Sequence, residues 1–214
     1  MRDAATILRA GWLIRASEPP IADGALVAAG GRIVRVGPWR TIEPHVGPGD
    51  AVEHSPDSAV LPGLVNAHTH LGLSDMAGKF EPTENFPAWI GRLTARLMLR
   101  SAGTVRRAVE TGRDLALAAG TAAGAEMTHD PRLADPLAAD PLAEECARWT
   151  VFGELFRFGE KGVARVGRTA AALEDLARRT GLAVGLGPHA PYSTGPEVFM
   201  AARREADARG WPVT

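Results

Sequence analysis

The chain has 214 residues, 45% of them hydrophobic and 23% charged, with a formal net charge of -1. That is the balance of a soluble globular protein with room for a sizeable core, and it carries no basic field for nucleic acid and no polybasic tail for a membrane surface. Cys146 is the single cysteine, so no intrachain disulfide is possible and a reducing, cytoplasmic setting is expected.

The N-terminus, MRDAATILRAGWLIRAS, scatters its charges and lacks the apolar core of a signal peptide. No window approaches a membrane span. Residues 1–59 read as short strands at Ile7-Leu8, Trp12-Leu13-Ile14, Ala25-Leu26-Val27 and Ile33-Val34-Arg35-Val36. Gly30-Gly31 predicts a tight hairpin, and Gly37-Pro38 and Gly47-Pro48-Gly49 predict further breaks. So few strands make only a small core.

From Val60 the rhythm changes, and a second domain is expected over 60–214. A strand at about 60–67 leads to helices near 86–99 and 103–119 and a strand near 121–127. A proline-broken helical stretch then runs to Arg148. Further on come a strand near 150–156, a helix near 162–180, a strand near 182–187 and a helix near 195–209. Glycine falls where a helix stops and a strand begins at Ala119-Gly120-Thr121, Thr180-Gly181-Leu182 and Arg209-Gly210-Trp211. There a positive φ is cheap. Val163, Val166, Ala170, Leu173 and Ala177 follow one buried helix face. Strand and helix in alternation predict βαβ units and a parallel sheet. Trp211-Pro212-Val213-Thr214 reads as the opening of another strand.

The chemistry concentrates in histidines. In LPGLVNAHTHLGLS an apolar strand, expected to be buried on both faces, ends in His68-Thr69-His70. Residues i and i+2 share a strand face about 7 Å apart, so the two imidazoles can lean toward one ion. The plainer alternative is a pair of polar residues at a strand end, solvated or bonded to backbone. His189, in VGLGPHAPYSTGPE, follows a strand end between two prolines. Parallel-sheet folds place their chemistry at such ends, so His189 is a pocket candidate, the plainer alternative being a loop histidine packed on its prolines.

His129 also follows a strand, but Asp130-Pro131 looks like a turn and surface placement is expected. His45 and His54 are expected at the surface of the small β unit. Glu154 stands among apolar and aromatic neighbours, and a buried lone carboxylate is costly. It is either placed for function or paired with Arg157. Phe86 and Trp89 either line a pocket or pack a helix against the core. Cys146, in helical context, reads as inert.

PGLVNAHTHL resembles the first-strand motif of the amidohydrolase superfamily, and GLGPHAPYS the fourth-strand motif of its amine- and chloro-hydrolysing branch, which includes cytosine, guanine and S-adenosylhomocysteine deaminases. ADGALVAAGGRIVRVGP resembles the β-sandwich strands that precede the barrel there. The resemblance implies an α/β chain made of part of a small β-sandwich (1–59) and a partial TIM (β/α)8 barrel (60–214), about its first four βα units. It implies one divalent metal, Zn2+ before Fe2+, with His68 and His70 as two of its ligands. By its position His189 would contact a purine-like or other N-heterocyclic substrate, which metal-activated water would deaminate; Glu154 and Trp89 are further pocket candidates, with no motif behind them.

A later histidine in H-x-x-E, its glutamate and an aspartate complete the site in that family, and none of them lies before Thr214. The resemblance therefore implies that no catalytic acid-base residue is secured here. The isolated chain is then expected to be inactive, completed by a C-terminal half or a homo-oligomer partner, or to act as a nucleobase-binding module.

Overall fold

The computed structural model describes residues 4–81, 83, 85–138 and 148–214. The chain divides into two compact units, Met1–Gly63 and Leu64–Thr214. No helix among the described residues is long and apolar enough to cross a membrane.

The first unit is one four-stranded sheet of β1 (Thr6–Leu13), β2 (Ile21–Ala29), β3 (Arg32–Pro38) and β4 (Ala51–Val60), in the order β3-β2-β1-β4. β1–β2 and β2–β3 are antiparallel, and β1–β4 is parallel. Gly30 and Gly31 turn the β2–β3 hairpin with positive φ at both positions, as the sequence predicts. The two strands expected on either side of Ala10-Gly11 are one continuous strand. Gly11 marks close packing there rather than a turn, since a Cβ on it would lie 2.1 Å from the Pro56 carbonyl oxygen. β4 gives little signal in the sequence because it is exposed and contains Pro56, which an edge strand tolerates. The core is small, as expected: Ile7, Ala25 and Ile42, with Val27, Trp39 and Val46 packed against them. Ile42, Trp39 and their neighbours form the short helix α1 (Trp39–Ile42). His45 and His54 are exposed.

The second unit is a four-stranded sheet in the order β5-β6-β7-β8, with every pair parallel. Its strands are β5 (Leu64–Thr69), β6 (Thr121–Thr128), β7 (Arg148–Leu155) and β8 (Ala183–Pro188), and its helices α2 (Phe86–Met98), α3 (Ala102–Ala118), α4 (Gly159–Thr180) and α5 (Pro196–Arg209). This is a partial (β/α) barrel of about four units. Asn85 and Ser101 cap α2 and α3, each side chain accepting a backbone N–H three residues on. Gly181 and Gly210 close α4 and α5 in the left-handed conformation.

Around the sheet Val151, Leu155, Leu173, Leu176, Leu186 and Val198 are fully buried. The buried face of α4 is Gly162, Val166, Thr169, Ala170, Leu173 and Leu176, a slight rotation from the expected stripe that leaves Val163 exposed. Val213 bridges Leu186, and the Leu186 N–H donates to the Pro212 carbonyl at 3.1 Å, so the last residues do lie alongside β8.

Two expectations are corrected. The first barrel strand starts at Leu64, because Ala59-Val60 end β4 and Pro62-Gly63 break the chain. Its apolar residues are not buried on both faces: Leu64 and Val65 are 53% and 72% exposed, since β5 is an edge strand with β6 on one side only. After β6 the described residues make 3-10 turns at Pro131–Leu133 and Asp135–Ala138, and the rest of the expected helical stretch, 139–147 with Cys146, lies outside the described residues.

The sheet also depends on small residues at close contacts. A Cβ on Gly124 would lie 2.1 Å from the ring of buried Trp149. Gly124→Ala should therefore cost about 1–3 kcal/mol by overpacking. Urea unfolding reads this directly, and an unchanged midpoint would refute it.

Candidate active site

Four parallel strands point their C-terminal ends the same way, and the chemistry of the second unit gathers there. His68 lies inside β5 and His70 directly after it. Glu126 and Glu154 are near the ends of β6 and β7, and His129 and His189 follow β6 and β8. The His68 and His70 rings meet edge-on with centroids 5.3 Å apart, and His70 and His129 are 6.3 Å apart.

Glu154 is the hub. Its carboxylate is 2% exposed and faces three imidazoles: His129 Nε2 at 2.9 Å from Oε2, His70 Nδ1 at 3.9 Å from Oε2, and His189 Nε2 at 3.9 Å from Oε1. Burial opposes its ionisation, but His129 above all, with His70 and His189, outweighs that and holds the carboxyl below its ordinary pKa. The histidines, not Arg157, are thus its partners among the described residues. The His129 contact is close but lacks good hydrogen-bond alignment, and the buried Oε2 has no well-aligned donor among the described residues. His129 is 46% exposed, in keeping with its expected surface placement, and its ring is also directed at Glu154, a contact its local sequence does not announce.

A run of rings borders this hub. His129 meets Phe156 at 5.0 Å, Phe156 meets His189 at 4.7 Å, and His189 meets Tyr192 at 5.6 Å. His189 is fixed on both sides: Nδ1 is 2.6 Å from Ser193 Oγ, and its backbone N–H donates to the Leu155 carbonyl at 3.0 Å. Trp89 sits elsewhere on α2, with Phe80 and Phe86 rings 6.4 and 5.8 Å away, and no contact among the described residues joins it to the histidines.

Beside the cluster lies a cavity of about 240 Å³ whose lining includes His70, Arg100, Glu126, Met127 and His129. Glu126 is 1% exposed, and burial pushes its pKa up to about 8 against the pull of the Leu71 and Gly72 amides it accepts. The same cue that marks Glu154, a carboxylate inside an apolar strand, marks Glu126 in Ala-Gly-Ala-Glu-Met. His129 shares with His70 and His189 its place just past a strand end.

Two imidazoles here suit a divalent metal in kind. Burial lowers the His70 pKa, with His68 and His129 adding to it against Glu154 and the Met127 backbone, and so favours the neutral ring that binds metals. The buried, poorly satisfied Glu154 oxygen adds an anionic donor nearby. Among the described residues, however, no three of His, Cys, Asp or Glu converge in a metal-binding arrangement. His68 and His70 therefore fit a metal as a partial set.

No curated protein sequence matches the chain. Solved structures do. A zinc-bound adenosine deaminase from Xanthomonas campestris aligns with 21% identity and a TM-score of 0.78, covering 99% of this chain and 49% of that one. An aminofutalosine deaminase from Helicobacter pylori, in complex with methylthio-coformycin, gives 18% identity, a TM-score of 0.78, and 97% and 50% coverage. A triazine hydrolase from Arthrobacter aurescens gives 18%, 0.73, and 99% and 52%. The likeness is one of fold, and the chain spans about half the length of each. The amidohydrolase family matches residues 59–214, the first-strand histidines included. The chain belongs to the amidohydrolase family.

Proposed function

We propose that this chain carries the metal-binding front of a hydrolase that cleaves C–N bonds other than peptide bonds, by hydrolytic deamination of a purine-like or other N-heterocycle. The observation that carries this reading is the convergence of His68, His70, His129, His189 and Glu154 at one end of the parallel sheet. Zinc in the adenosine deaminase of the same fold supports Zn2+ as the ion, with Fe2+ as the alternative.

His68 and His70 would hold the metal. When bound, it supplies a Lewis acid that brings water near its hydroxide form at neutral pH. His189, braced by Ser193, and the tilted and edge-on rings of Phe156 and Tyr192 offer aromatic faces and edges to a planar heterocycle. Glu154, charged and buried, orients His129 and His189 and accepts N–H donors of an amidine-like edge. Trp89 belongs to this reading only as an outer contact.

A catalytic zinc takes three protein ligands and water. With two secured, the isolated chain is expected to bind metal weakly and to release no ammonia. That favours completion by further residues, by a second copy or by a partner chain, and it is also why a nucleobase-binding module is the second reading. A single cysteine suits the cytoplasm for either.

The test measures zinc binding and ammonia release on a panel of adenosine, guanine, cytosine and triazine substrates. Wild type should bind Zn2+, and His70→Ala should weaken that by at least about tenfold, the low end of what losing even an outer-shell partner of a ligand costs. Equal binding by wild type and His70→Ala would overturn the metal reading. Nucleobase binding without turnover in a zinc-loaded, completed protein would favour the module.

A further inference from the structure

We infer that Glu126 is a positioning residue: it caps the turn that follows His70 and so fixes the direction of that imidazole toward the metal. The inference rests on the metal reading of His68 and His70.

The 3-10 turn Leu71–Met76 begins at His70, whose side chain makes no capping hydrogen bond. The first amides of such a turn have no partner within it and need an acceptor. Glu126 supplies one from the neighbouring strand. Its Oε2 accepts the Leu71 N–H at 2.7 Å and its Oε1 the Gly72 N–H at 3.4 Å. Register explains the reach, because Glu126 is paired with Thr69, the residue before His70.

The same turn is held from two other sides. Arg100 donates to the Gly72 carbonyl and pairs with Asp75 at 2.8 Å. Gly112 of α3 packs so closely that a Cβ on it would lie 3.0 Å from Leu71 Cα. Backbone on both sides of His70 is therefore anchored, by β5–β6 pairing before it and by Glu126, Arg100 and Gly112 after it. Of the anchors that follow His70, Glu126 is the one that hydrogen-bonds the very next residue, Leu71. A ligand's direction follows from its backbone, so loosening Leu71 lets the His70 ring swing away from the point it shares with His68.

Zinc affinity of the full chain, read by competition with a chromophoric chelator, tests this alongside amide exchange at Leu71. Glu126→Ala should weaken zinc binding about 10–100-fold, the usual effect of losing a group that orients a ligand. It should also speed exchange at Leu71. Glu126→Gln keeps an acceptor oxygen and should restore most of the affinity. Wild-type affinity in Glu126→Ala despite fast Leu71 exchange would overturn the inference, leaving Glu126 a purely structural cap. So would a Glu126→Gln protein as weak as Glu126→Ala. Absence of zinc binding by wild type would instead sink the metal reading itself. If Glu126→Ala does not fold, Glu126→Asp, one methylene short of Leu71, takes its place with the same expectations.

Discussion

In the metal-free chain, stability should fall as pH rises from about 5 to about 8, and Glu126→Gln should remove most of that fall. The Glu126 carboxyl has a folded pKa of about 8 against an ordinary 4.5. Between those values the folded chain keeps a proton that the unfolded chain has released, so unfolding becomes easier with each step up in pH. The slope from this one group is at most about 1.4 kcal/mol per pH unit. Above about pH 8 both states are ionised and the loss is complete. Glutamine carries no proton to lose, so its slope is flat. His70, with its pKa lowered, pushes the opposite way at lower pH, but it does so equally in both proteins and cancels in the comparison. Denaturant unfolding across this range reads the difference, and identical slopes would show that Glu126 is ionised in the folded chain at neutral pH.

Glu154→Gln should act on the other limb. The folded carboxyl has a lowered pKa, so its contribution is fully present above the unfolded value near 4.5 and is lost as pH falls through the folded one. Replacement should cost about 1–3 kcal/mol at pH 7, because three imidazoles lose the anion they face. It should also flatten the acid limb of the stability curve. The His70 pKa should drop further, since the Glu154 charge is what holds it up against burial. Histidine NMR and acid unfolding check the two parts. A Glu154→Gln protein as stable as wild type at pH 7 would mean that the histidines do not depend on this carboxylate.

Much of the site is legible along the chain because strand ends are legible. His68 and His70 announce themselves by alternation at the end of an apolar run, and His189 by the prolines that stop β8. Gly181 and Gly210 mark helix ends because only a residue without a Cβ takes that backbone cheaply. The expected edges slip where glycine plays its other part. Gly11 lies between two expected strands and is a close approach to Pro56, so that the two merge into β1.

His129 shows the limit most clearly. Asp130-Pro131 does turn the chain as expected, yet the preceding imidazole points at Glu154. Nothing within a few residues of His129 carries that information. It comes from the β6–β7 register, which sets Thr128 beside Gly153 and so brings the ends of both strands level.

The sequence by itself determined the class of the fold, the alternation of strands and helices in the second unit, and the residue types available for chemistry, because all of these follow from periodicity, breakers and local backbone preference. Only the tertiary structure decided which of those residues meet. Glu154 could as well have paired with Arg157, three positions away, but parallel pairing across three strands surrounds it with imidazoles from the ends of β5, β6 and β8. Glu126 reaches the turn after His70 only because Thr69 is its neighbour across the sheet. Register is a property of the packed sheet, and it is what turns separate polar residues into a site.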